Sequence, residues 1–193
     1  MGRGPWAGPV VAAACCFNNL KSDLIKFDIF NDSKKLTKKQ REKCYRHILD
    51  LKKNLLLEFY IGQASVQEID KLNILKASLL AMKRAINGFD KKKFSNTLII
   101  VDGINKPDIT DFESLTLVKG DEKSISIASA SIIAKIYRDD IMKKLSINFP
   151  EYKWEQNMGY GTADHINALK SIGISKHHRK TFKPISKLIH NNY

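Results

Sequence analysis

Residues 119–142 read KGDEKSISIASASIIAKIYRDDIM, and the fold turns on how that stretch is interpreted. Ile127, Ala130, Ala134, Tyr137 and Ile141 recur at steps of three and four, the period of a helix with one buried face. Ala128, Ser129 and Ser131 lie between them and are small enough to let another backbone or a nucleic-acid strand come close. Arg138, Asp139 and Asp140 follow near the end of the stretch. Lys135, Asp139 and Lys143 are spaced four apart, so a solvated ion-pair ladder is the plainer reading of this helix taken alone.

Working outward, Leu115–Val118 is a short strand leading into the helix. Thr97–Val101 (TLIIV) is a continuous apolar strand of the fully buried type, ended by Asp102-Gly103. Residues 8–17 (GPVVAAACCF) and 54–64 (NLLLEFYIGQA) read as further strands, and residues 20–31 as a loop with an edge strand. Thr37-Lys-Lys-Gln40 and Ser65-Val-Gln-Glu68 are capping boxes. The first opens a helix to about Lys53 with Cys44, Ile48 and Leu51 on one face. The second opens a helix to about Asn87, with Leu72, Leu75, Leu79, Met82 and Ile86 buried, Asn73, Lys76 and Arg84 toward solvent, and Gly88 as its stop. Beyond Pro150 the texture turns to glycine, histidine and aromatics, with Thr162 as an N-cap and Gly173 as a helix stop. Strands alternating with helices indicate an α/β fold with a helical C-terminal part. The expected organisation is a core over residues 1–149 and a substrate-contacting helical portion of the same domain over 150–193.

The 193 residues suffice to bury a proper core. No apolar run approaches the roughly twenty residues that a membrane span needs. Gly and Pro interrupt the apolar start MGRGPWAGPV, which argues against a secretory signal. Cys15, Cys16 and Cys44 are odd in number and lack metal-type spacing, so reduced structural thiols in a cytoplasmic protein are expected. A net charge of +13 suggests a polyanionic partner, most often nucleic acid. The lysines are spread over many segments, so charge alone does not separate a binding surface from a compositional bias.

Several residues carry chemistry. Asp102 directly follows a strand, where α/β folds collect ligands, although Asp-Gly is also a common turn pair. With Asp139 it offers carboxylate oxygens suited to a hard divalent cation. Two carboxylates are fewer than the three or four expected of a two-metal site that activates water against a phosphodiester. Gly2-Arg3-Gly4 is a turn that exposes backbone N–H groups beside a guanidinium, suited to a phosphate or a sugar hydroxyl. Tyr160, between Gly159 and Gly161, suits stacking on a sugar or base; an ordinary turn tyrosine explains it equally well. His177, His178, Arg179 and Lys180 form a basic cluster for phosphate contact, with no partnered nucleophile nearby to make a histidine catalytic.

Together these pieces resemble the bacterial ribonuclease HII family, the type 2 ribonucleases H. GRGPWAGPVVAAA, NDSKKL, EIDKLNILKASLLAM, VDG, VKGD, SIASASIIAKIYRD, GYGT and HHRKTF follow one another in that family's order across essentially the whole chain. The resemblance implies a ribonuclease H-like mixed central sheet flanked by helices. It implies Mg²⁺- or Mn²⁺-dependent endonucleolytic cleavage of RNA in RNA–DNA hybrids and of single ribonucleotides in duplex DNA, by a monomer, leaving 3′-hydroxyl and 5′-phosphate ends. It assigns Asp102 and Asp139 as metal-binding catalytic carboxylates, Gly2, Arg3 and Gly4 as readers of the ribose 2′-hydroxyl, and Tyr160 as the ring packing on the sugar at the RNA–DNA junction. Lys119 and Ser131 become phosphate contacts, Asp32 a structural residue and Asp140 a bystander.

The resemblance has two departures. In the family, Asp-Glu and one further residue precede the glycine-arginine-glycine turn and supply the first two metal ligands; here the chain begins Met1-Gly2-Arg3. The expectation is that Met1 is internal to an Asp-Glu-Met-Gly-Arg-Gly stretch whose true start lies upstream. The alternative function is a catalytically impaired nucleic-acid-binding remnant, and a third possibility is a gene fragment that does not fold. A generic basic RNA-binding module would have no need of Asp102 and Asp139. Met158 stands where the family often carries lysine, which removes one phosphate contact.

Overall fold

Small and β-branched residues from Val10 to Phe17 form strand β1. The Thr37 capping box is made in full and opens helix α1, Lys38–Lys53, which buries Cys44, Ile48 and Leu51. Strand β2, Leu57–Ala64, follows, and the Ser65 capping box opens α2, Val66–Leu72. Next come α3 (Ile74–Ile86), β3 (Ile99–Asp102), β4 (Ser114–Leu117) and the long α4 (Ile125–Asn148). Three shorter helices close the chain: α5 (Trp154–Asn157), α6 (Ala163–Ile172) and α7 (Lys183–His190). The structure, a computed structural model, describes residues 1–30 and 35–190; Asp32 lies outside the described residues.

Among the described residues the strands pair as β1 with β2 and β3 with β4. The second pair is parallel, with Ile100 opposite Leu115 and Asp102 opposite Leu117. The chain divides into two compact units: residues 1–10, 64–78 and 137–193 form one, and residues 11–63 and 79–136 the other. The second unit is built on Ile48, Leu51, Leu57, Phe59, Ile132 and Ile133. The first is built on Ala7, Met142, Tyr152, Trp154, Leu169 and Ile185. Among the described residues no helix is long and apolar enough to cross a membrane.

Five local expectations are corrected. The helix expected from Ser65 to Asn87 is two helices, because Asn73 takes a left-handed φ of 70° between them. With ψ at 163° this backbone is far from any helical geometry, and the Asn73 side-chain oxygen accepts the N–H of Lys76 to start α3. Of the expected stripe Ile86 is buried, whereas Leu72, Leu75, Leu79 and Met82 are only half-buried, and the rest of the buried face of α3 is Ala77, Ser78, Ala81 and Ala85. Alanine wins because the neighbouring backbone lies so close: a Cβ on Gly62 of β2 would overlap the carbonyl oxygen of Ala81 and the nitrogen of Ala85. Along α4, Tyr137 is exposed and Ile132, Ile133, Arg138 and Met142 are buried, so the helix is enclosed on more than one side instead of carrying one stripe. Strand β3 is buried only at Val101, with Ile100 on an exposed face, and residues 20–31 hold a single 3-10 turn, Phe27–Ile29, and no strand among those described.

Gly62→Ala is therefore expected to destabilise the protein by about 2 kcal/mol, since the colliding atoms are main chain and cannot rotate away. Urea unfolding reads the effect, and an unchanged midpoint would contradict the close approach.

Candidate functional site

Within the first unit, two buried arginines hold the N-terminal segment by its carbonyl oxygens. Arg179, 0 % exposed, donates from Nη2 to Gly2 (2.7 Å) and Gly8 (2.9 Å), from Nη1 to Arg3 (3.1 Å) and from Nε to Gly8 (3.0 Å). Arg138, 2 % exposed, donates to the carbonyls of Pro9 (3.1 Å), Met158 (3.0 Å) and Ala7 (3.1 Å). Burial, with the Arg138 charge nearby, pushes the Arg179 guanidinium down to about 9, so it remains a cation at neutral pH. Gly2 has φ 83°, and a Cβ there would overlap the Arg138 side chain, so only glycine lets the turn lie on that guanidinium.

The consequence for the turn follows from the planarity of the peptide. In a trans peptide the N–H of one residue points opposite to the preceding carbonyl. The carbonyls of Gly2 and Arg3 face Arg179, so the N–H groups of Arg3 and Gly4 face away from it. Both residues are exposed, and neither N–H has a hydrogen-bond partner among the described residues. The Gly2-Arg3-Gly4 turn thus presents two donors beside an exposed guanidinium, as its sequence suggests.

Tyr160 lies against the same turn. Its ring carbon Cε1 is 3.4 Å from where a Cβ on Gly4 would sit, and the residue is 49 % exposed. Its carbonyl accepts the Thr162 N–H (2.9 Å) and faces Nδ1 of His165 (2.9 Å). The segments knit together through Trp6 N–H to Gly159 O (2.8 Å), Gly8 N–H to His177 O (2.9 Å) and Arg179 N–H to Trp6 O (2.8 Å). The carboxylate of Asp70 on α2 accepts the N–H groups of Lys180 and Thr181, pinning the chain just past Arg179.

His165 and His178 form a buried pair, Nε2 to Nε2 at 2.9 Å. Two donors that cannot act as acceptors fix their tautomers. The Ser175 N–H gives to Nδ1 of His178 (2.9 Å), and the Trp154 indole N–H gives to Nε2 of His165 (3.3 Å). His178 therefore carries its proton on Nε2 and donates to His165, and His165 carries its proton on Nδ1 and donates to the Tyr160 carbonyl. Burial lowers both imidazoles, and with His165 beside it His178 falls to about 4.

This pair makes stability depend on pH with a definite sign. The native His178 titrates near 4 and the unfolded one near 6.5, so the unfolded state binds the extra proton between those values. Its stabilising contribution is complete above pH 6.5 and is lost as pH falls toward 4. Lowering the pH from 7.5 to 5 should cost about 2 kcal/mol from this residue, read as a fall in the urea midpoint that is smaller in His178→Gln.

The phosphate-contact expectation for His178 and Arg179 is corrected: at 1 % and 0 % exposure both are interior, and their donors and acceptors are engaged within the protein. Met158 takes a left-handed φ of 51° and aims its carbonyl at Arg138. Asp139 is half-buried in this unit, and Asp140 is exposed and pairs with Lys143 at 3.3 Å.

Asp102, Lys119 and Ser131 belong to the second unit. Asp102 ends β3 exposed, and its Oδ1 accepts the Gly120 N–H at 2.9 Å, which fixes the carboxylate while Oδ2 makes no recorded bond among the described residues. Lys119, which precedes Gly120 in sequence, is exposed with a left-handed φ of 56°, and Ser131 is half-buried on α4. Carboxylate oxygens are the donor type a hard divalent ion takes, so Asp102 and Asp139 fit one chemically. Among the described residues no group of three or more His, Cys, Asp or Glu side chains is gathered to hold a metal.

Arg138, His165 and Asp70 hold the segments of this unit together, and the sequence did not single them out for that. An arginine beside two aspartates on a helix carries the signature of a surface ion pair. Its burial depends on Ala7, Pro9 and Met158, all far from it in sequence.

The family model described as Ribonuclease HII matches residues 1–185. The chain is 49% identical over 189 residues to the Ribonuclease HII of Pelagibacter ubique, covering 98% of this chain and 95% of the relative. It is 44% identical over 185 residues to that of the Wolbachia of Brugia malayi, covering 96% and 85%. Among solved structures, the ribonuclease H2 of Pyrococcus horikoshii matches with TM-score 0.69 at 23% identity over 99% of this chain and 94% of that one. Bst-RNase HIII in complex with Mn²⁺ matches with TM-score 0.72 at 16% identity over 99% and 67%. These structural likenesses carry the α/β, ribonuclease H-like fold.

Proposed function

The chain belongs to the ribonuclease HII family, hydrolases of the ribonuclease H type, and on that premise we propose that it cleaves RNA at RNA–DNA junctions. The substrates are the RNA strand of hybrids and single ribonucleotides within duplex DNA, and the products carry 3′-hydroxyl and 5′-phosphate ends. The observation that carries this reading is the turn at residues 2–4, whose carbonyls are held inward so that the Arg3 and Gly4 N–H groups face out beside the Tyr160 ring. Outward main-chain donors suit the oxygen of a 2′-hydroxyl or its adjacent phosphate, and an exposed ring over a glycine suits the flat face of the following deoxyribose.

In this mechanism the turn and Tyr160 select and orient the junction, and Arg3 neutralises phosphate charge. Asp102 and Asp139 would hold Mg²⁺ or Mn²⁺, which when bound acidifies water and takes up charge at the phosphodiester. Lys119 and Ser131 contact neighbouring phosphates. Asp102 keeps its orientation through the Gly120 N–H, so its carboxylate need not reorganise when an ion binds.

The test uses the full chain on three duplexes, a fluorescent RNA–DNA hybrid, a duplex with one embedded ribonucleotide and an all-DNA duplex, with Mg²⁺, Mn²⁺ or chelator. Cleavage of the first two only, dependent on metal, is expected. The short donor set favours one competing reading, a protein that binds the junction without cleaving it. Retention of the ribonucleotide duplex with no product under either metal would establish that reading instead.

A further inference from the structure

The segment His178-Arg179 touches both halves of the junction reader from beneath. Arg179 gathers the carbonyls of Gly2, Arg3 and Gly8, while His178 acts through His165 on the carbonyl of Tyr160. Adjacent residues on one stretch of backbone thus hold the turn and the ring, and that stretch is tied to the N-terminal segment by a bridge between Ala7 and His178. We propose that Arg179, with the His178–His165 pair, sets the gap between Gly4 and Tyr160 and is thereby a specificity-determining positioning element for the 2′-hydroxyl. The inference rests on the reading of residues 2–4 and Tyr160 as the junction reader.

The physical argument is one of direction. Arg179 grips carbonyls, and peptide planarity converts that grip into the outward aim of the Arg3 and Gly4 N–H groups. A guanidinium offers five N–H donors in a rigid plane, enough to hold several carbonyls at once in fixed relative positions. Lysine keeps the charge but has three donors on a point, so it satisfies fewer of these carbonyls and leaves the peptide planes of the turn free to rotate. On the other half, the Tyr160 ring lies against Gly4, and the Tyr160 backbone is held by a His165 proton whose position Trp154 and His178 dictate.

The experiment is binding of the full-length protein, in chelator so that no cleavage occurs, to a fluorescent duplex with one ribonucleotide and to the same duplex in DNA. For the wild type, affinity for the ribonucleotide duplex is expected to be tighter by about tenfold, below the limit a hydroxyl-reading site can reach. In Arg179→Lys the preference should shrink to within about twofold while affinity for the DNA duplex changes by less than about twofold, because the lost element is aim and not charge. A folded Arg179→Lys that keeps the full preference overturns the inference. A wild type with no preference overturns the reading on which it rests. If Arg179→Lys does not fold, His165→Leu and His165→Asn carry the test. Leucine removes the donor to Tyr160 and should abolish the preference, and asparagine, whose amide nitrogen sits near the place of Nδ1, should restore part of it. Equal preference in a folded His165→Leu would likewise overturn the inference.

Discussion

Asp102→Asn and Asp139→Asn are each expected to lower metal-dependent hybrid cleavage by about 100-fold or more while leaving the thermal midpoint near that of the wild type. Each exchange removes a negative charge and keeps the shape. At Asp102 the amide oxygen of asparagine can still accept the Gly120 N–H, so the end of β3 keeps its anchor. Catalysis and folding are therefore separable at this position, and the pairing of an activity assay with a melting curve reads both. Binding of the ribonucleotide duplex in chelator should persist, since the proposed readers, the turn and Tyr160, are untouched. Full cleavage by either folded variant would remove that carboxylate from the proposed metal site.

Arg138→Met should produce the largest loss of stability, about 4 kcal/mol, judged from three charge-assisted bonds lost and three buried carbonyls left without their donor. Methionine fills much of the volume, so the loss reports the bonds more than a cavity. The urea midpoint measures it. A change below about 1 kcal/mol would mean that water or a repacked neighbour takes over the carbonyls, and the clamp would then be dispensable. Arg138→Lys should fall between the two, because one ammonium can reach only some of the acceptors.

Elements governed by local chemistry were legible from the sequence. Thr37 and Ser65 open α1 and α2 as their capping boxes require, Thr162 caps α6, and Cys44, Ile48 and Leu51 line the buried face of α1. Reading failed where a partner distant in sequence decides the outcome. The alanine face of α3 exists because Gly62 admits its backbone, and nothing near residues 77–85 announces that glycine. The site divides the same way. The turn at residues 2–4 and Tyr160 were visible from glycine spacing and from the family resemblance. His178 and Arg179 were visible but misplaced, because a run of basic residues normally means a wetted surface. Arg179 is buried on the main-chain carbonyls of Gly2, Arg3 and Gly8, and His178 between Ser175 and His165, and these partnerships leave no mark in the sequence.

The acceptors gripped by Arg138 and Arg179 are carbonyl dipoles, not carboxylates, and this has a consequence for ionic strength. Mobile ions screen exposed charges over about 10 Å at 0.1 M but reach buried hydrogen bonds poorly. A polyanionic duplex held by surface cations dissociates steeply as salt rises, since each neutralised phosphate releases counterions. The arginine-held turn should keep its form through the same titration. On the proposed function, salt should therefore lift the duplex from an intact reader, weakening the grip on phosphate and leaving the 2′-hydroxyl preference in place.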